Sequence, residues 1–182
     1  MENHDNYIRA ASALGFTHAV SIADFALKCE AEIRAYCNAE QCRNYASTWV
    51  CPPGCGTVEE CQSHASNYRA GIVLQTVGDI PPIGKETTLR GLQKKHNANV
   101  LKLADMARSE GIDVLPLTTG GCPVCKSCTF PNEPCRDPER RMHSLSAYGI
   151  NVGNLCKTAE LEYSFRNDKV YFTAYLGFNI SE

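Results

Sequence analysis

The sequence predicts an α/β (or α+β) domain: a mixed sheet with helices packed on it and cysteine-rich loops at one edge. Three observations carry this expectation. The runs GIVLQTV (71–77) and DVLPLT (113–118) are short and apolar, and each ends in Gly, Pro or Thr-Gly turn signals. Between them, Leu89, Leu92, Val100, Leu103 and Ala107 recur at helical spacing over 86–110, with Gly111 as the stop. Strand, helix and strand make a central βαβ unit with parallel strands and a right-handed crossover. Finally, YSFRNDKVYFTAYLGF reads as a C-terminal β-hairpin turning at Asn167-Asp168 and extending the sheet antiparallel.

The remaining elements follow in order. A helix starts after Asp5, a candidate N-cap, and runs to Leu14 before Gly15. His18 to Ile22 (HAVSI) is a short strand, and a second helix spans Phe25 to Tyr36. Thr57 and Glu60 have the spacing of a capping box, so a helix begins at Thr57 and runs toward Tyr68. His96 falls on the apolar stripe of the long helix and reads as a core or cleft-edge histidine. Asn154 to Leu161 is helical. The 182 residues are expected to form a single cysteine-rich metal-binding domain, 1–182, large enough to bury a core without staples.

Composition excludes several classes. A net charge of −2 offers no basic surface for nucleic acid. No apolar run is long enough for a membrane span, and the polar start MENHDNYIRAAS is unlike a secretory leader. The expected compartment is therefore the cytoplasm, where thiols stay reduced. No GxGxxG, P-loop or Ser–His–Asp spacing supports nucleotide binding or acyl transfer. Eleven cysteines then call for ligand chemistry, since an odd count cannot pair fully within one chain.

Cys122, Cys125, Cys128 and Cys135 form the denser group, in CPVCKSCTFPNEPC. A structural zinc site draws on two separated C-x2-C knuckles. Repeated x2 spacing in one segment instead matches the ferredoxin-type run that holds a cubane. An iron–sulfur cluster, [4Fe–4S], is thus the first expectation and zinc the alternative. Cys135 closes this cluster or serves another one; spacing leaves both open. The group directly follows strand 113–118, where open α/β sheets build their sites. Gly120-Gly121 lets backbone N–H groups approach the sulfurs. Arg136, Arg140, Arg141 and His143 read as a solvated basic turn, or else as charge that offsets a cluster or receives an anionic substrate.

Cys37, Cys42, Cys51, Cys55 and Cys61 form the looser group, whose gaps match no standard zinc pattern. Pro52-Pro53 stiffens the loop after Cys51. Cys61 lies in the first turn of a helix, where the dipole favours a thiolate, and Cys55 just precedes it; either can be a fourth ligand. If the second helix continues, Cys29 lies about 12 Å from Cys37 along its axis, too far to share a cubane. Cys156 is a core residue by default and a ligand only if a cluster lacks a fourth thiolate. Tyr45 and Trp49 shield a cluster or belong to the core.

These residues resemble the small prokaryotic proteins known as predicted metal-binding proteins of unknown function. The resemblance rests on Cys37, Cys42, Tyr45, Trp49, Cys51-Pro52-Pro53 and Cys61, on GGCPVCKSCTFPNEPCRDPE, and on SLSAYGINV at 144–152. It covers most of the chain and implies a metal but no reaction; members are typical of anaerobes, which suits oxygen-sensitive clusters. The expected function is electron transfer by one or two [4Fe–4S] clusters to a redox partner protein. The ligands expected are Cys37, Cys42, Cys51 and Cys61 with Cys122, Cys125, Cys128 and Cys135. Two alternatives stand beside it: an enzyme with an open iron site, and a zinc-stabilised interaction module.

Overall fold

The computed structural model describes residues 2–81, 85–165 and 168–179. Its architecture is α+β, with a five-stranded mixed sheet between helices. The elements are α1 (Glu2–Leu14), β1 (His18–Ile22), α2 (Ala31–Arg34), α3 (Val58–Ala65), β2 (Ala70–Asp79), α4 (Lys85–Ser109), β3 (Val114–Thr118), β4 (His143–Ser144), α5 (Val152–Thr158) and β5 (Lys169–Phe178). Strand order is β1-β2-β5-β3-β4. Among the described residues no helix is long and apolar enough to cross a membrane.

Side-chain alternation along the strands divides the core in two. Ile72, Leu74, Ala174 and Leu176 face Tyr7 and Ala11 of α1 and Val100, Leu103, Ala104 and Ala107 of α4. Val73, Leu115, Leu117 and Tyr175 face the other way, onto Cys61 and Ala65 of α3, Leu155 of α5, Leu27 and Tyr148. Val100, Leu103 and Ala107 of the α4 stripe therefore pack as their spacing predicts, while Leu89 and Leu92 stay half-buried. His96 sits in that layer at 1% exposure, hydrogen-bonded through Nδ1 to Thr76 Oγ1 at 2.9 Å.

β2 and β3 run parallel, as the βαβ pattern requires, because both pair antiparallel with β5. They are not neighbours: β5 lies between them, its ten residues registered along β2 and four of them along β3. The tail thus supplies one central strand, where a hairpin was expected at the margin. Residues 161–165 form no strand, and Asn167 lies outside the described residues. Gln75 Nε2 donates to the Glu162 carbonyl at 2.8 Å, so this segment satisfies a core side chain.

Two helix boundaries also differ. α1 begins at Glu2, which puts Asp5 inside it. The helix expected over Phe25–Tyr36 shrinks to Ala31–Arg34, because the preceding backbone bonds elsewhere. Phe25 N donates to Arg69 O, and Glu30 N to Gly149 O, both at 2.8 Å; Cys29 bridges to Ile150. Gly149 has φ +75°, and a Cβ there would come within 2.6 Å of Glu30 O, so glycine permits this crossing.

β1 and β3 end at opposite ends of the sheet. Ile22, the last residue of β1, pairs with Gly71 at the start of β2; Val114, the first residue of β3, pairs with Phe178. The chain from 23 to 56 must therefore cross the α3–α5 face to reach the end of β3. The two cysteine segments meet there only after this crossing, where Trp49 lines the cavity of the second group.

Candidate metal centre

The second cysteine group hangs from the carboxyl end of β3. The chain passes Thr119, Gly120 and Gly121, loops through 122–142, and returns as β4, which pairs parallel with Leu117 and Thr118. The loop is tied down by charge and by backbone. Arg140 Nη2 bonds Asp105 of α4 at 2.6 Å and its Nη1 bonds Asp137 at 3.4 Å. Arg136 Nη1 donates to Ser127 O at 3.1 Å. Two of the cations expected to act on a cluster or substrate thus serve the loop's own structure, and Arg141 remains.

Cys122, Cys125, Cys128 and Cys135 line one cavity of about 150 Å³, closed on its other sides by Thr48, Trp49, Val50 and Arg141. Trp49 belongs to the first cysteine segment, so the two groups share a wall. Its backbone N–H donates to Cys128 Sγ at 3.5 Å, its Nε1–H to Glu133 O at 3.0 Å, and its ring meets Phe130 edge-on at 5.0 Å. Gly54 packs against the same Phe130; a Cβ there would be 2.9 Å from the ring and 2.7 Å from Thr48 O. Backbone groups of Val124 and Met142 hydrogen-bond Cys122 and favour its thiolate, while burial pushes the thiol up. The expected donors, Gly120-Gly121, border cavities: Gly121 this one, Gly120 the next.

Cys37, Cys42 and Cys51 line a second cavity of about 280 Å³, with Tyr36, Tyr45, Ser144 and Ser146 among the other walls. Burial raises the Cys37 and Cys51 thiols, and mutual repulsion with Cys42 adds to it. Tyr45 is 37% exposed and Tyr36 65%, so neither is core.

Cys55 and Cys61 turn to a third cavity, of about 210 Å³, with Glu60, His64, Arg141, His143 and Tyr148. Local sequence explains their pose. Thr57 and Glu60 form the expected capping box: Glu60 N donates to Thr57 Oγ1 at 3.2 Å and Thr57 N to Glu60 Oε2 at 2.8 Å. That box starts α3 and puts Cys61 in its first turn. The Cys61 thiol is held down at about 7, first by a hydrogen bond from the Cys55 thiol and then by Arg34. Cys55 is correspondingly raised. Arg34 was not singled out by the sequence. Its Nη2 donates to Gly56 O at 2.6 Å, its Nη1 to Ala147 O, and Nη1 stands 3.8 Å from Cys61 Sγ.

Two cysteines stand apart from these cavities. Cys29 N donates to Gln62 Oε1 at 2.8 Å on the edge of the α3 core. Its separation from Cys37 is not a helical one, since α2 spans only Ala31–Arg34. Cys156 is fully buried, its sulfur 3.6 Å from Thr173 Oγ1 and 3.8 Å from Gln75 Nε2.

The donors around the first two cavities are mainly thiols, the ligand type of soft metals and iron–sulfur clusters, with the Asp137 carboxylate beside the four of the first. Among the described residues no three His, Cys, Asp or Glu side chains stand close enough to hold one metal ion. The sulfurs surround spaces instead. Burial raises Cys37, Cys51 and Cys122, which favours their thiols over the thiolates that ligate metals.

Compared with curated proteins and with solved structures, the chain has no match. Its residues 21–178, which contain all eleven cysteines, match the family model described as "Predicted metal-binding protein (DUF2284)", and the chain belongs to that family.

Proposed function

We propose that this chain is an iron–sulfur protein that passes single electrons to a partner protein. The observation that carries the reading is the one cavity walled by Cys122, Cys125, Cys128 and Cys135. A tetrahedral zinc ion at 2.3 Å from each sulfur would gather four thiolates to about 3.8 Å from one another. Four thiols spaced around a volume suit a polynuclear centre better, as does their ferredoxin-like spacing. Cys135 shares that wall, which favours its service to this cluster.

A bound [4Fe–4S] cluster supplies a one-electron couple, tuned by hydrogen bonds to sulfur and by nearby charge. The chain's own contribution is to set that environment. Trp49, Val124 and Met142 direct backbone N–H groups at Cys128 and Cys122. Lys126 and Arg141 bring positive charge to the wall, and Asp137 opposes it. Trp49 covers part of the cavity, while Cys128 stays exposed.

A second reading, an enzyme built on a three-thiolate cluster, is favoured by the second cavity. Cys37, Cys42 and Cys51 line it, while Cys55 and Cys61 line another. The hydroxyl groups of Ser144 and Ser146 and the exposed Tyr36 would then meet whatever approached the fourth position.

Iron, sulfide and zinc per chain after anaerobic purification, with electron paramagnetic resonance of the reduced protein, test both readings. About four irons and four sulfides per cluster are expected for cubanes, and replacing Cys125 by Ser should remove one cluster's worth. Zinc without sulfide would overturn both. Full cysteine ligation of every iron would remove the second.

A further inference from the structure

Outside the cysteine-lined spaces lies a cavity of about 400 Å³, between β3, α3 and the 138–143 segment. His64, Arg141 and His143 form part of its wall and part of the wall of the 210 Å³ space beside Cys61. We propose that these adjoining cavities bind a small oxyanion carrying a neighbouring hydroxyl, such as a 2-hydroxycarboxylate or a hydrogenphosphate. Arg141 takes the oxyanion, and Nδ1 of His143 accepts the hydroxyl proton. The proposal does not require a cluster, although Arg141 also lines the cavity of Cys122, Cys125, Cys128 and Cys135.

His143 supplies the first argument. It is only 9% exposed, and its Nδ1 is buried without any hydrogen-bond partner. The Val50 backbone beside the ring favours protonation there, as a carbonyl does. Burial, with Arg141, His64 and Arg34 nearby, holds the ring neutral, its pKa pushed down to about 3. A neutral imidazole carries one N–H and one lone pair; with the N–H placed on Nε2, Nδ1 is left as a bare lone pair. A buried acceptor of this kind is costly unless a donor meets it. β4 holds the residue in place, since its backbone pairs with Leu117 of β3.

Arg141 supplies the second. Its neighbour Arg140 is engaged by Asp105 and Asp137, and Arg108 by Asp105. Arg141 instead uses Nε on the Pro138 carbonyl at 3.2 Å, and among the described residues its terminal nitrogens have no acceptor. A guanidinium with two free N–H groups facing a cavity matches a carboxylate or phosphate edge. None of the carboxylates on the two walls pairs with it: Asp113 accepts from Tyr68 Oη at 3.1 Å and Asn179 Nδ2 at 2.9 Å, Glu60 accepts from Thr57 N at 2.8 Å, and Glu139 is exposed to solvent. Val114, Leu115 and Pro116 offer an apolar surface for the rest of the ligand, in a volume typical of metabolite sites.

The donor requirement at His143 makes the site selective, and titration calorimetry near neutral pH can read it. Glycolate and hydrogenphosphate carry both groups; acetate lacks the hydroxyl. At least one of the first two should bind roughly tenfold or more tightly than acetate, as expected for a hydrogen bond that relieves a buried acceptor. Glycolate alone would identify a hydroxycarboxylate site, hydrogenphosphate alone a phosphate site. Arg141→Met should weaken binding by about tenfold or more with an unchanged circular dichroism spectrum. His143→Phe should abolish the preference for glycolate over acetate. Should that variant fail to fold, nitrogen-15 resonances of the wild-type His143 ring must move when ligand is added. Equal affinity for all three anions, no binding at millimolar concentration, an unaffected Arg141→Met or an unmoved ring would overturn the proposal.

Discussion

Arg34 shows how much one side chain can set at the first turn of α3. It reaches from the four-residue α2 to the carbonyls of Gly56 and Ala147 and stands beside Cys61. The charge favours the Cys61 thiolate, as does the hydrogen bond from Cys55. In metal-free protein, Cys61 should be alkylated with a pH midpoint near 7. Arg34→Met should move that midpoint up by about one unit and cost about 2 kcal/mol in chemical denaturation, because two carbonyls lose charged donors. A midpoint unmoved by the substitution would remove Arg34 from this role. Cys61 itself was legible in the sequence, since the capping box announces the turn it occupies. Arg34 was not: its partners lie 22 and 113 residues away.

At the scale of the element, legibility followed the source of the hydrogen bonds. β1 and α4, with their periodic apolar residues, and α3, with its capping box, formed where expected. The Phe25–Tyr36 helix did not, because Phe25, Cys29 and Glu30 give their N–H groups to Arg69, Gln62 and Gly149. No local pattern reports such partners. α4 also carries a testable consequence of burial. His96 lies against Phe16 and Phe172, and desolvation lowers its pKa from 6.5 to about 4. Between those values the unfolded chain binds a proton that the folded chain does not. Stability is therefore greatest above about pH 6.5 and falls as pH drops toward 4. Denaturant titrations should show a loss of up to about 3 kcal/mol from this group, with the slope reduced in His96→Phe. An unchanged slope in that variant would assign the effect elsewhere, His143 being the other deeply buried histidine.

Across the whole molecule, the two cysteine segments are joined by Trp49, Gly54 and Phe130. Removing the indole N–H tests that joint. Trp49→Phe leaves its backbone bond to Cys128 possible but deletes the 3.0 Å bond to Glu133 O. It should cost about 1 kcal/mol and raise amide exchange across 128–135 relative to β2 and β5. Equal exchange in both proteins would mean that the 122–142 loop holds its own shape. The sheet explains why this joint exists. β1 ends at the far end of the sheet from Thr118, so the first cysteine segment meets the second only by crossing a whole face.

The amino-acid sequence by itself determined the sheet-and-helix class, the apolar stripe of α4, the start of α3 and the two cysteine groups. Each is written in spacing, capping or local periodicity, which act within a few residues. Only the tertiary structure decided that β5 is central. The run KVYFTAYLGF reads alike in a marginal hairpin and between two strands, and its neighbours are supplied by residues 70–79 and 114–117. The same holds for the cysteines. The sequence offered Cys61 or Cys55 as the fourth ligand beside Cys37, Cys42 and Cys51, whereas the fold turns both to a different cavity with His64 and His143. Direction of a thiol depends on the helix that carries it and on what packs behind that helix, and both are long-range facts.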